Sequence, residues 1–491
     1  MLIQTLQLIL ALSLLVFVHE LGHFGFARLF HVRVNKFYLF FNWKFAIVRF
    51  KKINGKWQVR WFAPNQPTEE PAIDENGEPK LNAKGKPIMV PIDPAKLPDN
   101  DWRRYPETTE WGIGWIPLGG YCSIDGMVDE TTDSGQLATE PKPWEYRAQP
   151  AWKRLFIITG GVLMNFITAF VIYAAILGYY GKDELPVQNA YLGFDYCQTA
   201  QDNGFRNGDI IIAIDNDTVK YAPEVTERII IDGRRNILLR RHGRDTTIVL
   251  PEDFSQQIIA AEESRFFTLR IPFVIDQISS HSPAEKAGLQ AGDSIIGLNG
   301  HEAVAFSDIA QALDTLAGQT ATITYVRQGD TRTDSIVIGD DGKIGVMLRD
   351  NTPYFKTEHT EYGFFAAIPA GWNLMTDVLG NYVKQLRFVF TKEGAKSLGG
   401  FGTIGSLFPS TWDWATFWSM CAFLSVILAF MNILPIPVLD GGYVLFLLFE
   451  MITGRKPSDK VMDILLNIGF FLLLALLIVA NGNDLIRWLF K

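Results

Sequence analysis

The sequence predicts a polytopic α-helical membrane protein that carries two small α/β domains. Two observations lead to this fold class: the apolar residues are gathered in long uncharged segments, and one short residue pattern occurs twice between the second and third of these segments. With 491 residues, the chain is too long for a single ordinary core, so several structural units are expected. The averages of 48% hydrophobic and 20% charged residues would also suit a large soluble enzyme, so the positions of these residues decide the class.

Four segments are apolar and long enough to cross a bilayer core of about 30 Å. The first lies within residues 1–30, has no charged side chain among its first 18 residues and lacks a basic start and a small-residue cleavage site. We therefore interpret it as a retained membrane helix and not as a signal peptide. The other three predicted spans are residues 155–180, 414–434 and 461–480.

Basic residues beside the predicted spans indicate the orientation in the membrane. They follow the first span, precede the second and fill the loop between the third and fourth, so four spans place all of them on one side. The residues are Arg28, Arg33, Lys36, Arg147, Lys153, Arg154, Arg455, Lys456 and Lys460. Because positive charge favours the cytoplasmic side, residues 31–154 are predicted to form a cytoplasmic loop, and residues 181–413 are predicted to face the opposite side.

The cytoplasmic loop contains a polar insertion at residues 51–110, where nine of the 24 prolines lie between Pro64 and Pro106. Turn signals such as Asn76-Gly77 predict short hairpins there. No residue pattern in this insertion indicates a chemical function.

A repeat lies between the second and third spans. AQDNGFRNGD begins at Ala200 and AEKAGLQAGD begins at Ala284, and each is followed by an alternating apolar strand. We interpret them as two copies of one small domain, at residues 185–268 and 269–350. The copies resemble PDZ domains, in which an extended peptide adds to a sheet edge, and this implies binding of peptide C-termini or of a substrate's outer domain.

Residues 360–413 are predicted to form an amphipathic helix and a linker, because apolar residues recur there at spacings of three or four. The helix would lie along the membrane surface or pack against the second small domain. The net charge of −8 and the lack of an Arg/Lys-rich run argue against nucleic acid as a partner. Three distant cysteines without a C-x-x-C pattern argue against a disulfide framework or a thiolate metal site.

The segment His19-Glu20-Leu21-Gly22-His23 has the pattern H-E-x-x-H within the first predicted span. Residues i and i+4 share a helix face, so both imidazoles can bind one divalent metal ion at about 2.0–2.1 Å. Glu20 would lie beside the open position of the ion, where it can accept a proton from water. The alternative is a pair of core histidines, but three ionisable groups inside an apolar span are costly without a function.

Zinc with one open position needs a third protein ligand, and the other five histidines lie outside the predicted spans. The best candidate is Asp440, which follows the third span within the segment 432–442. Pro435 and Pro437 cannot both sit in a regular helix, so the backbone is expected to run extended here. Such backbone at membrane depth needs a polar or water-filled cavity beside it. The alternative for Asp440 is a turn carboxylate at the membrane surface.

Together these motifs resemble those of the site-2 protease family of intramembrane zinc metalloproteases, and more closely its bacterial regulator-of-sigma-E (RseP) type. The resemblance rests on HELGH in the first span, N-x-x-P-x-P-x-L-D-G after the third and the domain pair between, so it covers nearly the whole chain. It implies that His19, His23 and Asp440 bind one Zn²⁺ per chain and that Glu20 is the catalytic acid and base. It also implies that Asn432 holds the substrate backbone or the developing oxyanion.

The resemblance also implies substrate contacts outside the metal site. Residues 114–121 are similar to the family's membrane-entering β-hairpin, which pairs with the substrate as an added strand, and this implies a hairpin at about 111–128. An ordinary glycine-rich turn is the alternative. Residues 160–166 resemble the family's helix-2 motif, so close helix approach and a hydrogen bond from Asn165 within the bundle are expected. The implied substrate contacts, besides Asn432, are Gly119, Gly120, Tyr121, Pro435 and Pro437.

The implied enzyme lies in the bacterial inner membrane, with its active site toward the cytoplasm and the PDZ-like pair in the periplasm. The implied substrate is a single-pass transmembrane protein, such as an anti-sigma factor already trimmed outside the membrane. Two alternatives stay open: the same chemistry on signal-peptide remnants or other pro-proteins, and a non-catalytic membrane scaffold built on the PDZ-like domains.

Overall fold

The computed structural model describes residues 2–67, 69–72, 79, 87–127, 140–261, 263, 265–349 and 355–489. In the first part of the chain, seven strands lie between two long helices in the sequence. These are α1 (Leu2–Leu29), β1 (Val34–Phe41), β2 (Phe45–Ile53), β3 (Lys56–Pro64), β4 (Glu69–Pro71), β5 (Met89–Pro91), β6 (Glu110–Ile113), β7 (Ile116–Ile124) and α2 (Ala151–Tyr180).

The middle part of the chain contains short helices and strands. They are β8 (Lys182–Glu184), β9 (Phe194–Tyr196), α3 (Gln198–Asp202), β10 (Ile210–Ile214), β11 (Asp217–Thr218), α4 (Ala222–Thr226), β12 (Asn236–Arg241), β13 (Arg244–Val249), α5 (Phe254–Ala260), β14 (Phe267–Leu269), β15 (Ile275–Ile278), α6 (Pro283–Lys286), β16 (Ser294–Leu298), β17 (His301–Glu302), α7 (Phe306–Thr315), β18 (Thr320–Arg327), β19 (Asp330–Val337), β20 (Val346–Leu348) and β21 (Glu358–Thr360).

The last part of the chain is helical. Its helices are α8 (Phe364–Val389), α9 (Lys392–Ser397), α10 (Phe401–Ser406), α11 (Trp414–Ile433), α12 (Asp440–Thr453) and α13 (Asp459–Leu489). Among the described residues, α1, α2, α11 and α13 are long and apolar enough to cross a membrane. The chain forms two compact units, the first from residues 1–180, 362–380 and 398–491 and the second from residues 181–361 and 381–397.

In the first unit, α1 and α2 approach each other closely at glycines. A Cβ atom on Gly22 would lie 2.2 Å from the backbone oxygen of Gly160, and a Cβ atom on Gly160 would lie 2.6 Å from that of Gly22. Only hydrogen fits at both positions, so the two backbones come nearly into contact, as small residues allow in membrane helices. Nearer the start of α1, Leu15 joins a buried cluster with Phe417 and Cys421 of α11.

The chain between α1 and α2 folds into a five-stranded sheet with the order β3-β2-β6-β1-β7. The hairpin implied at about 111–128 is wrong in its pairing: β6 runs parallel to β1 and β7 runs antiparallel to it on the other side. The link between β6 and β7 crosses the end of β1 at Gly114, where a Cβ atom would lie 2.3 Å from Phe41 O. Residue 128 and the turn predicted at Asn76-Gly77 lie outside the described residues.

The insertion expected at 51–110 begins inside this sheet, since β2 and β3 pair through the turn at Asn54 and Gly55. One face of the sheet is aromatic. Trp111 contacts Phe24 of α1 and Phe50 of β2, with ring centroids 4.9 and 6.5 Å away, and Phe50 in turn contacts Trp57 of β3. A row of aromatic rings therefore runs from α1 to the outermost strand.

The other face of the sheet carries buried charged side chains, among them Arg49, Lys51 and Glu110. Tyr38 Oη donates to Glu110 Oε1 at 2.5 Å, and Arg49 Nη1 lies 3.5 Å from the same oxygen. Burial, reinforced by the Glu110 carboxylate, raises the pKa of the Tyr38 hydroxyl, and burial lowers the pKa of Lys51. The two faces of the sheet thus differ sharply in polarity.

In the second unit, two small α/β domains have the same order of elements. β10 starts at Ile210 and its counterpart β16 starts at Ser294, which is 84 residues later, and the following strand, helix and strand keep this offset. The two sheets have the equivalent orders β11-β10-β12-β13 and β17-β16-β18-β19. The repeated sequence pattern therefore corresponds to a repeated structure.

The aspartate of the repeated Gly-Asp pair has the same contacts in both copies. Asp209 accepts hydrogen bonds from the backbone N–H of Arg206 and from the Arg241 guanidinium. Asp293 accepts them from the backbone N–H of Gln290 and from the guanidinium of Arg327. Both aspartates are buried, so the pattern recurs because the turn needs a charged acceptor.

Residues 362–380, the first part of α8, pack within the first unit and not on the second small domain. Met375 is buried beside Tyr173 of α2 and Val426 of α11. Gly371 makes this possible, since a Cβ atom there would lie 2.6 Å from Ala174 Cα. The alternative of packing on the second small domain is therefore wrong for this part of the helix, and its position along the membrane surface stays a prediction.

Gly22→Ala is expected to destabilise the first unit, because the new Cβ atom would lie 2.2 Å from a carbonyl oxygen. Forcing the helices apart should cost about 1–3 kcal/mol, as overpacking usually does. The measurement is thermal unfolding of the purified protein in detergent. Gly25→Ala is the matched control in the same helix, because its Cβ atom would meet nothing within 4 Å. Equal loss of stability in both variants would contradict the close approach.

Candidate metal centre

Three candidate ligands from α1 and α12 meet at one point. The Nε2 atoms of His19 and His23 are 3.2 Å apart, and they lie 3.2 and 3.6 Å from Oδ2 of Asp440. The three side chains are therefore close enough to bind one metal ion together. The structure thus brings together the three residues that the sequence analysis proposed as ligands.

The neighbouring helices leave room for these side chains. The i, i+4 spacing turns both imidazoles to one face of α1, and Gly161 of α2 lies beneath them. A Cβ atom on Gly161 would lie 2.6 Å from both His19 Cε1 and His23 Nε2. Asp440 is the first residue of α12, so its carboxylate is presented at the start of that helix.

The chain between α11 and α12 turns tightly, so the expectation of an extended backbone is wrong. Val438 has a φ of 88°, and the Leu439 N–H donates to Ile436 O. Residues 434–439 must turn the chain within a short distance, and the glycines that follow allow this. A Cβ atom on Gly441 would lie 2.0 Å from the backbone oxygen of Leu434.

The three donors fit a tetrahedral zinc ion. With bonds of about 2.0–2.1 Å, the ligand atoms of such an ion lie about 3.3–3.4 Å apart. The observed separations are 3.2, 3.2 and 3.6 Å. Oδ2 of Asp440 is buried and has no hydrogen-bond donor among the described residues. A bound cation would give this oxygen the partner that a buried polar atom needs. Two imidazoles and one carboxylate leave one position open, as in catalytic zinc sites.

Each imidazole has a polar partner at its other nitrogen. His23 Nδ1 lies 2.9 Å from the backbone oxygen of Ile157, which places the proton on Nδ1 and leaves Nε2 for a metal. His19 Nδ1 lies 3.3 Å from the side-chain amide of Asn165. The amide oxygen of Asn165 is buried and lacks a donor in the described part of the chain. A half-turn of this amide gives the oxygen the His19 Nδ1–H as its donor.

Glu20 lies beside the cluster, where α1 meets β7. Its carboxylate is hydrogen-bonded to the backbone of Cys122 on β7. One turn earlier in α1, Val16 also meets this strand, since a Cβ atom on Gly120 would lie 3.3 Å from Val16 Cγ1. β7 therefore holds the candidate acid and base on one side of the metal cluster.

The other predicted site residues lie at differing positions around the cluster. Asn432, in the last turn of α11, has its Nδ2 atom 3.4 Å from His19 Nε2. Tyr121 Oη donates to Asn42 at 3.0 Å, and the ring stacks on Tyr38 with 5.3 Å between centroids. The Tyr121 side chain thus packs within the sheet, and its contact with a substrate stays a prediction.

Pro435 and Pro437 lie in the loop between α11 and α12, and Gly119 lies in β7 with Gly120. A Cβ atom on Gly469 would lie 2.1 Å from the backbone oxygen of Pro437, so α13 approaches this loop closely. The two prolines lie in the loop that leads to Asp440. Their contact with a substrate stays a prediction.

Sequence reasoning missed the partners of the imidazoles. The backbone oxygen of Ile157 has no sequence signature, because any residue carries one. Gly161 and Asn165 belong to a segment whose small residues and buried amide indicated close packing. That signal did not show which histidine each residue would contact.

Asn165→Leu is expected to weaken zinc binding by about 10- to 100-fold, as loss of a partner behind a metal-bound histidine usually does. Asn165→Asp should keep more of the affinity, because a carboxylate oxygen still accepts from His19 Nδ1–H. The measurement is competition with a zinc chelator. Ser425→Ala is the control, since Ser425 Oγ donates only to the backbone oxygen of Asn165, at 2.8 Å. Wild-type affinity in Asn165→Leu would contradict the contact's role.

Comparison with known proteins agrees with this arrangement. The sequence profile of peptidase family M50 matches residues 7–63 and 101–476. A Ralstonia nicotianae protein named as a candidate zinc metalloprotease is 26% identical over 99% of this chain and 98% of that protein. A Rickettsia conorii protein of the same description is 25% identical over 97% of each chain. The regulator of sigma E protease of Haemophilus influenzae is 26% identical over 98% of each chain.

The family match covers most of the chain, and these relatives are matched over nearly their whole length. The sequence-based recognition of the family is confirmed, as are the zinc cofactor and the enzyme class. The chain belongs to peptidase family M50, the site-2 proteases, and is a zinc-dependent metalloendopeptidase of the membrane.

Proposed function

We propose that this protein cuts transmembrane segments of single-pass proteins within the bilayer, with His19, His23 and Asp440 as zinc ligands. The main support for this proposal is the position of the cluster within the helices. Two candidate ligands and Glu20 lie within α1, a helix apolar enough to span a membrane, and the third closely follows α11, which is another. Ionisable groups at membrane depth are costly unless they bind an ion or serve a reaction.

Each residue around the cluster would have its own role in the hydrolysis. Bound zinc would polarise the scissile carbonyl and lower the pKa of water at the open position. Glu20 would take the proton from the attacking water and deliver it to the leaving nitrogen. Asn432, whose Nδ2 lies 3.4 Å from His19 Nε2, would donate to the carbonyl oxygen as negative charge develops there.

β7 is the proposed docking strand for the substrate. A helical substrate hides its peptide bonds inside its own hydrogen bonds, so it must unwind and find replacement partners before hydrolysis. β7 is an edge strand of the five-stranded sheet, and an edge strand can add an extended peptide. Because Cys122 on this strand contacts Glu20, a peptide paired with β7 would lie next to the acid and base.

The aromatic face of the sheet is proposed to lie in the membrane interface. Trp57, Val59 and Trp61 on β3 are 58%, 53% and 66% exposed, and they alternate with residues of the other face. They continue the row of rings that begins at Phe24 of α1. Exposed apolar surface joined to a membrane helix favours contact with lipid, and tryptophan is enriched at the membrane interface.

The proposed location is the bacterial inner membrane, with the metal site toward the cytoplasm. The support is the group of basic residues at the span ends, such as Arg28, Lys153 and Lys456. The two small domains, as PDZ-like domains, would then lie in the periplasm and bind peptide C-termini or the outer domain of the substrate. An anti-sigma factor trimmed first outside the membrane agrees with the name of the Haemophilus relative.

Glu20→Gln is expected to abolish cleavage of a model transmembrane substrate, because glutamine cannot take the proton from water. Loss of one general base typically lowers the rate by about 10²- to 10⁴-fold. The measurement is cleavage by the purified full-length protein in detergent or nanodiscs, with bound zinc determined in parallel. The variant should keep one zinc per chain, since Glu20 is not among the proposed ligands.

Glu70→Gln is a matched control, because Glu70 lies on β4 and is exposed. Cleavage by Glu20→Gln at the wild-type rate would refute the proposed mechanism. Glu20→Gln would also retain substrates, so mass spectrometry of co-purified single-pass proteins identifies them. Recovery of signal-peptide remnants instead would favour the alternative substrate class.

A photo-crosslinking phenylalanine analogue at Val59 is expected to capture phospholipid in nanodiscs, because Val59 lies on the aromatic face of β3. The same analogue at Gln58 is the control, since Gln58 faces the other way and accepts a hydrogen bond from Trp102 Nε1 at 2.7 Å. Lipid adducts are measured by mass spectrometry after irradiation. Equal adduct yields at the two positions would show that this face does not lie in the membrane interface.

A further inference from the structure

A second contact between α2 and α12 lies away from the metal cluster. Arg154, in the first turn of α2, forms an ion pair with Glu450 in the last turn of α12, with 2.5 Å between Nη2 and Oε1. The two side chains are only 10% and 17% exposed. Arg154 Nε also donates to the backbone oxygen of Gln149 at 3.0 Å, so the guanidinium is held in place from its own side.

This ion pair and the metal cluster are well separated along both helices. Asp440 and Glu450 are ten residues apart on α12, which is about 15 Å at 1.5 Å per residue. Arg154 and Gly161 are seven residues apart on α2, which is about 10 Å. The helix that carries the third candidate ligand is therefore tied to α2 at its far end as well as at the cluster.

α12 depends on such tertiary contacts for its position. The loop 434–439 before it contains a residue with positive φ and a turn closed by the Leu439 N–H, so the helical hydrogen bonds of α11 do not continue into α12. Its outer side is open, since Leu445, Phe449 and Ile452 are 48%, 49% and 84% exposed. On its inner side, Phe446 and Leu447 are buried, but apolar contacts alone permit small rotations and shifts.

We propose that Arg154 and Glu450 are positioning residues that set the rotation and height of α12, so that Asp440 completes the zinc site. The proposal rests on the proposed assignment of Asp440 as a zinc ligand. One residue of α12 corresponds to a rotation of about 100°, so a modest turn of this helix would swing the carboxylate away from the imidazoles. A buried ion pair resists such a turn because a single charge left in apolar surroundings is strongly unfavourable.

The test is the zinc affinity of the full-length protein in detergent, measured with zinc and a competing chelator. Arg154→Ala and Glu450→Gln are each expected to weaken zinc binding at least tenfold, and to lower kcat/KM on a model transmembrane substrate in parallel. The charge-reversed double variant Arg154→Glu with Glu450→Arg should recover zinc affinity to within threefold of wild type. Thermal unfolding of the zinc-free variants is measured in parallel, because a pair that only stabilised the fold would lower the unfolding temperature without lowering the zinc affinity of the folded protein.

The matched control is Arg103→Ala, which removes an arginine–aspartate pair with Asp101, 2.7 Å apart, outside the membrane-spanning helices. It should leave zinc affinity within twofold of wild type. If Arg154→Ala does not fold, Glu450→Gln and the charge-reversed variant still test the positioning role, since both keep the size of the side chains at the contact.

The outcomes separate this proposal from the assignment of the ligands. If His23→Ala loses zinc while both ion-pair variants bind it as wild type does, the positioning role is overturned and the ligand assignment stands. If His23→Ala also binds zinc normally, the ligand assignment itself fails. Both single variants could also lose zinc without any recovery in the charge-reversed variant. That result would overturn the positioning role of the ion pair, because each residue would then act separately.

Discussion

The close approach of α1 and α2 at Gly22 and Gly160 is the contact on which the rest of the site depends. It brings one turn of α2 directly against the face of α1 that carries both histidines. The backbone oxygen of Ile157 can then accept from His23, and the amide of Asn165 can reach His19. With bulkier side chains at these glycines, neither imidazole would have a partner behind it, and both would be free to rotate.

The candidate metal centre is assembled from elements that are far apart in the chain and are held by different kinds of contact. The histidines are placed by helix packing, the aspartate by a tight loop and a distant ion pair, and Glu20 by the backbone of an edge strand. This division has a functional consequence. The strand that contacts Glu20 is also the strand proposed to receive the substrate, so substrate docking and proton transfer would meet at one place.

Several sequence-based expectations failed for a common reason, which is that pairing between distant segments cannot be read from local pattern. A family resemblance implied a hairpin at about 111–128, yet β1 lies between its two strands in the sheet. The prolines after α11 correctly indicated the end of that helix, but the glycines behind them allow a tight turn in place of extended chain. The apolar residues spaced three or four apart did indicate the helix α8, and Gly371 lets its first part pack closely on α2.

By itself, the sequence determined the membrane class, the repeated small domain and the residue types of a zinc site. Each of these follows from local spacing: apolar length, an 84-residue offset, and two histidines one helical turn apart. Only the tertiary structure decided that Asp440 stands 3.2 and 3.6 Å from the two histidines, and which groups hold the imidazoles from behind. The physical reason is that these contacts depend on how closely helices approach and how loops turn. Both are set by packing across the whole unit and not by any one segment.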